Sequence, residues 1–216
     1  MAKDKKRILQ TRAKKIARTA AKAAKRKKAA SRFVSDFAAR FGVTRATLSA
    51  APLYRVLVGQ TIFETGIGDV VVSRKLADGM IAASIVLLDP YCLGVKNAFL
   101  RVMTPAEFDT LLDDIGEFQT LNDVAPEYAR KLVDGAVTYA RALGFEPHPD
   151  FKDASVSFEG IDSAACDTVF TYGKDGKPFY INGPNHSVQR AKGIIAHLTA
   201  RLGPNGFHYL IGFGED

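Results

Sequence analysis

Fourteen of the first 32 side chains are Lys or Arg, and Asp4 is the only acid among them, so this segment carries a formal charge of +13. Its larger aliphatic residues are few: Ile8, Leu9 and Ile16. A stretch of that composition buries too little apolar surface to offset the entropy of ordering, and its like charges repel. It contains no Gly and no Pro, and Ala, Lys and Arg favour helix. The expectation is a tail that is disordered, or a fraying helix, when free, and helical once a polyanion neutralises it. Folding must then come from residues 33–216, which hold 16 basic and 22 acidic side chains, a formal charge of −6. The whole-chain charge of +7 and the pI near 9.4 therefore belong to the tail. Two parts are expected: a basic tail over 1–32 and a single globular domain over 33–216.

The body's composition bounds its class. A hydrophobic fraction of 47% is ordinary for a globular chain. The longest apolar runs, such as 81–88, fall short of the roughly 20 residues a membrane helix needs, so no transmembrane helix is expected. The first residues lack the apolar centre of a secretory signal. Cys92 and Cys166 are too few for a disulfide framework or a four-ligand zinc site. Both are expected as reduced thiols in a cytoplasm. The chain has no GxGxxG, no GxxxxGK[ST] and no HExxH, so neither a cofactor nor a metal is expected.

Periodicity organises the body as α+β. Phe33, Val34, Phe37 and Phe41 recur at helical spacing before Gly42, so 31–41 reads as a first packed helix. Residues 44–52 read as a linker or short turn. Residues 53–59, 69–76 and 80–88 read as strands, with 77–79 a tight turn between the last two. The run 80–88 is almost wholly apolar, which fits a central strand covered on both faces. Thr104, Pro105 and Glu107 make a capped helix start, and that helix reaches about Ile115. Tyr128, Leu132, Val133, Ala136, Tyr139, Ala140 and Leu143 give an apolar face to a second helix running from near Pro126 to Gly144. Residues 169–173 and 178–181 read as a hairpin around 174–177, 187–202 as a third long helix, and 207–212 as a last short strand. The fold class is thus α+β, a mixed or antiparallel sheet with three to four packed helices.

Three stretches carry a resemblance. They are 89–96 (DPYCLGVK), 139–151 (YARALGFEPHPDF) and 173–184 (GKDGKPFYINGP). Together and in this order they resemble blocks of a family of uncharacterised bacterial proteins, over roughly residues 53–212. The resemblance implies a bacterial, cytoplasmic origin. It implies no activity, ligand or catalytic residue.

Within the body, weak candidates for chemistry are Cys92, Lys96, His148, Asp150 and His186. An ammonium near Cys92 would favour a thiolate, but a free Cys is more often a small buried apolar residue. His148 stands between Pro147 and Pro149, where a stiff backbone would orient its ring toward Asp150. The plainer reading is a helix-to-strand connection. His186 and Asn185 precede the helix that begins near Val188, whose first turns hold Arg190 and Lys192. Its free N–H groups suit a phosphate, and a plain capped helix explains the same residues. Glu64, Asp69, Asp78 and Asp89 flank the first strands, as a two-metal nuclease would require, yet Asp78 and Asp89 also read as turn punctuation.

The tail is the stronger signal. Lys5, Lys6, Arg7, Arg12, Lys14, Lys15, Arg18, Lys22, Lys25, Arg26, Lys27 and Lys28 are the expected nucleic-acid-binding residues. Such density releases counterions from phosphates without reading sequence. RNA or ribosomes are expected ahead of a specific DNA site, because no helix-turn-helix, zinc finger or RNP motif is present. The competing expectations are a small hydrolase or nuclease, an anionic membrane surface as the tail's partner, and a tail that only aids solubility.

Overall fold

The computed structural model describes residues 44–182 and 187–211. The tail, the expected helix at 31–41, His186 and residue 212 lie outside these.

Five strands form one antiparallel sheet: β1 (Leu53–Gly59), β2 (Gly68–Lys75), β3 (Ile81–Asp89), β4 (Gly94–Met103) and β5 (Leu121–Asp123), in the order β4-β3-β2-β1-β5. The β2–β3 connection behaves as its sequence requires. Gly79 takes φ 84°, and the Asp78 carboxylate accepts the Met80 N–H at 3.0 Å. The strands β2 and β3 are Val-, Ile- and Ala-rich because both faces of the sheet are covered.

Helix α3 (Pro105–Gly116) covers one face. Phe108, fully buried, and Leu111, Leu112 and Ile115 pack with Leu57, Val71, Ala83, Ile85 and Met103. Its start is the capping box expected from sequence: Thr104 accepts the Glu107 N–H, and Glu107 accepts the Thr104 N–H. Helix α4 (Pro126–Ala142) covers the other face, with Ala129, Leu132, Val133, Ala136 and Val137 against Val56, Val58, Val70, Val72, Val86 and Leu88. Four further helices complete the described residues: α1 (Arg45–Ala50), α2 (Ile62–Thr65), α5 (Phe151–Ala154) and α6 (Val188–Leu202). A parallel pair, β6 (Phe179–Ile181) and β7 (His208–Leu210), flanks α6 in sequence. No helix among the described residues is long and apolar enough to cross a membrane.

Two sequence expectations need correction, and two strands, β4 and β5, are absent from the sequence reading. Residues 45–50 form a capped helix and not a linker. Strand β4 follows β3 directly, so 90–93 is a hairpin turn between them. Strand β5 is three residues at the sheet edge, too short to give an alternation. Residues 169–173 form no strand: Phe170 and Tyr172 stack on Phe63, Tyr128 and Tyr139. Ring packing claims these side chains, and β6 pairs in parallel with β7 across the α6 connection.

One cation ties the layers together. Arg74 on β2 is 5% exposed, and its guanidinium donates to the backbone oxygens of Ala51 (2.6 Å), Ser157 (2.9 Å) and Glu159. Beside it, the Ser84 hydroxyl donates to the Ser157 hydroxyl at 2.7 Å. Planar donors satisfy three carbonyls, one within a 3-10 turn at 155–158 and two at the ends of short helical segments. Arg74→Met keeps most of the volume and orphans those carbonyls, so it is expected to lower unfolding free energy by about 2–4 kcal/mol. Urea unfolding checks this, and a loss well under about 1 kcal/mol would show that the clamp adds little to stability.

Candidate functional site

The three blocks that carry the resemblance meet at the β3–β4 turn. The Asp89 carboxylate, 2% exposed, accepts the N–H of Tyr91 at 3.0 Å and of Cys92 at 2.9 Å. That folds 90–93 back so that Asp89 pairs with Gly94, which takes φ 63°. A Cβ on Gly94 would stand 2.8 Å from the Ala140 methyl and 3.0 Å from the Ala136 oxygen, so only Gly lets the turn sit on α4. The second block supplies that helix end and the irregular segment that follows, which leads to α5 and not to the expected strand; there the His148 N–H donates to the Val95 oxygen at 3.0 Å. The third block docks on the turn by backbone bonds: Gly173 N–H to Pro90 oxygen at 3.0 Å, and Phe179 N–H to Tyr91 oxygen at 3.1 Å.

Charge enters this knot at two residues. Lys96 Nζ lies 3.9 Å from the Asp89 carboxylate, and both side chains are at least nine-tenths buried. Burial pushes the Asp89 carboxyl up to about 6, against the pull of Lys96 and the turn amides. Burial also lowers Lys96, against the pull of Asp89. Both shifts run toward the neutral forms, so at this separation desolvation outweighs pairing. Phenols surround the pair. Tyr180 is fully buried, and Tyr139 is pushed up to about 12 by burial and by the negative forms of Cys92 and Asp89. Arg190, in the first turn of α6, acts electrostatically on both Lys96 and Tyr180.

The candidate residues fall as follows. Cys92 has no exposed surface and belongs to a cluster with Leu143, Tyr180, Ala191, Leu198 and Phe207. Burial, then the Asp89 charge, drives its thiol well above the usual range; Lys96 only partly opposes this. The nearby ammonium does not make a thiolate, because it is already answered by Asp89. His148 Nδ1 accepts the Asp150 N–H at 3.3 Å and lies 3.8 Å from the Asp150 carboxylate. A ring nitrogen that accepts a backbone N–H is not the one that carries a proton toward that carboxylate. The structure thus brings Cys92 and Lys96 together around Asp89, and joins His148 to the same hairpin through its backbone.

The acidic residues of the first strands separate. Asp78 caps its own turn, and Glu64 is exposed on α2. Asp69 exchanges two bonds with Gln119, its N–H donating to Oε1 at 3.1 Å and its carboxylate accepting from Nε2 at 2.6 Å. Gly59 and Gly68 make room for that amide. No group of three or more His, Cys, Asp or Glu among the described residues is placed to hold a metal. Sequence reading gave Asp89 as turn punctuation but not its burial or its pairing with Lys96. The available signal was the pairing of an Asp before a short turn with a Gly five residues later.

Comparison with known proteins finds no matching family model, no similar curated protein and no similar solved structure. Within the fold, the convergence of 89–96, 139–151 and 173–182 makes them a packing unit around Asp89.

Two predictions follow from this electrostatic layout. Cys92 is expected to resist alkylation by iodoacetamide at pH 7–8 until urea unfolds the chain, as mass spectrometry of the labelled peptide would show; rapid native-state labelling would restore it as a candidate nucleophile. The second concerns Asp69, whose carboxyl burial pushes up to about 6 although Gln119 opposes the shift. The native pKa exceeds the unfolded value of about 3.9. The native state then holds the proton more tightly, and this stabilisation is lost as pH rises from about 4 to about 6. Relative to the natural chain, Asp69→Asn should gain stability between pH 4 and pH 7 in urea titrations. A constant difference between the two chains would contradict the assignment.

Proposed function

We propose that this protein is a nucleic-acid-associated binding protein of the cytoplasm, meeting RNA or ribosomes rather than a specific DNA site, with residues 1–32 supplying the affinity. One observation carries the reading: the chain confines a charge of +13 to 32 residues and gives the remaining 184 a charge of −6. A globular protein needs no such segregation for solubility, because a body at −6 is already charged enough to stay dispersed. A phosphate polymer is the partner that rewards it, since each neutralised phosphate releases a counterion. An anionic bilayer is less suited, because the tail lacks the aromatic residues and the Leu-rich face that enter an interface.

No specific observation favours the hydrolase or nuclease reading. Cys92 is buried in a core that drives its thiol pKa up, and Asp69, Asp78 and Asp89 are each tied to a separate partner.

The test compares the full chain with a variant in which the 14 basic residues of 1–32 are Gln. Fluorescence anisotropy with labelled single- and double-stranded RNA is read across a salt series. The natural chain should lose affinity by about 10³–10⁵ between 50 and 200 mM salt if it makes some 6–10 phosphate contacts. The neutralised variant should lose most of its binding. Equal binding by the two chains would overturn the proposal.

A further inference from the structure

The acidic character of the body is not uniform. Residues 174–211 hold five basic side chains, Lys174, Lys177, Arg190, Lys192 and Arg201, and one acid, Asp175. Residues 33–173 hold 11 basic and 19 acidic side chains. The basic stretch supplies β6, α6 and β7, and all five of its cations belong to exposed residues. The parallel register sets Phe179 beside His208 and Ile181 beside Leu210. Strand alternation puts these four on one face, opposite Tyr180 and Tyr209. His208 is exposed and Leu210 is 58% exposed. The Phe179 ring stands edge-to-face with His208, centroids 6.4 Å apart, which braces the imidazole. Lys174 Nζ sits 5.3 Å from the centre of the Phe179 ring, and Lys177 Nζ donates to the Asn205 oxygen at 3.0 Å. An exposed imidazole thus stands against the ring that Lys174 covers, with Leu210 two residues along the same face and Lys177 held at the turn that precedes β7, on the most basic part of the folded body.

We propose that this strip is a second nucleic-acid contact, selective for single strands: a base stacks on His208 against Leu210, and Lys174 and Lys177 meet the flanking phosphates. The inference rests on the polyanion reading of the chain and adds a folded site to it. A duplex would present stacked, paired bases to Leu210 and Ile181 and leave them unused, whereas an unpaired base has an open π-face that an aromatic ring and an apolar neighbour can cover. The tail supplies charge without discrimination; the strip would supply the preference for single strands.

The experiment uses the full chain, a labelled 20-nucleotide oligouridylate and a labelled RNA duplex, with anisotropy read across salt. His208→Ala with Leu210→Ser should weaken oligouridylate binding about fivefold or more and leave duplex binding unchanged. His208→Phe keeps a stacking ring and should bind as the natural chain does. Lys174→Gln with Lys177→Gln should reduce the slope of log K against log salt by about one. Both double variants binding oligouridylate as tightly as the natural chain, while the tail-neutralised chain has lost binding, would overturn the strip and leave the tail reading intact. The reverse pattern would overturn the tail reading and leave the strip. A natural chain that binds neither probe at low salt would remove both.

Discussion

The Asp89 carboxylate is the constraint on which the C-terminal half of the body depends. It accepts two backbone N–H groups of its own turn and faces Lys96 at 3.9 Å, all beneath the surface. A buried carboxylate is unfavourable unless its lone pairs are met, and here meeting them fixes the path of 90–93. That path presents the Pro90 and Tyr91 oxygens to the 173–179 segment and seats Gly94 on α4. Without it, β6 would have no backbone anchor on the sheet, and the cluster of Cys92, Tyr180, Leu198 and Phe207 would have no floor.

The parts of the fold legible in the sequence are those where one local rule acts alone. The Thr104–Glu107 box, the Asp78-Gly79 turn and the apolar face of α4 each follow from propensity or periodicity, and each stands where expected. Legibility fails where tertiary packing overrides a local pattern. Strand β4 was hidden because Lys96 and Asn97 interrupt its alternation, and the register shifts between Leu87 and Leu88 on its partner. That irregularity lies next to the turn where Lys96 reaches Asp89. The rings of Phe170 and Tyr172 mimic a strand but serve a stack against α4 and α2.

The candidate site was legible as a place and not as chemistry. The blocks at 89–96, 139–151 and 173–184 do converge. Their polar residues, though, answer one another: Asp89 faces Lys96, His148 takes the Asp150 N–H, and Cys92 fills a core position. A sequence displays residue types and spacing, but it does not show how much of a side chain's bonding capacity is already used inside the fold. That quantity separates a reactive Cys beside a Lys from a packed one, and here burial and the Asp89 charge decide the matter.

Once the buried charges are accounted for, recognition is left to the surface, and there the chain is polarised. The 1–32 segment is at +13, the 174–211 stretch carries five cations to one acid, and 33–173 carries an excess of acids. Fields of opposite sign on one molecule orient a polyanion before contact, drawing it to the basic parts and away from the acidic sheet-and-helix body. Screening sets the reach of this effect, about 8 Å at physiological ionic strength. Beyond that reach, two basic regions act together on one partner only where it contacts both. Under the proposal above, a flexible polymer could bridge two basic regions where a small anion could not.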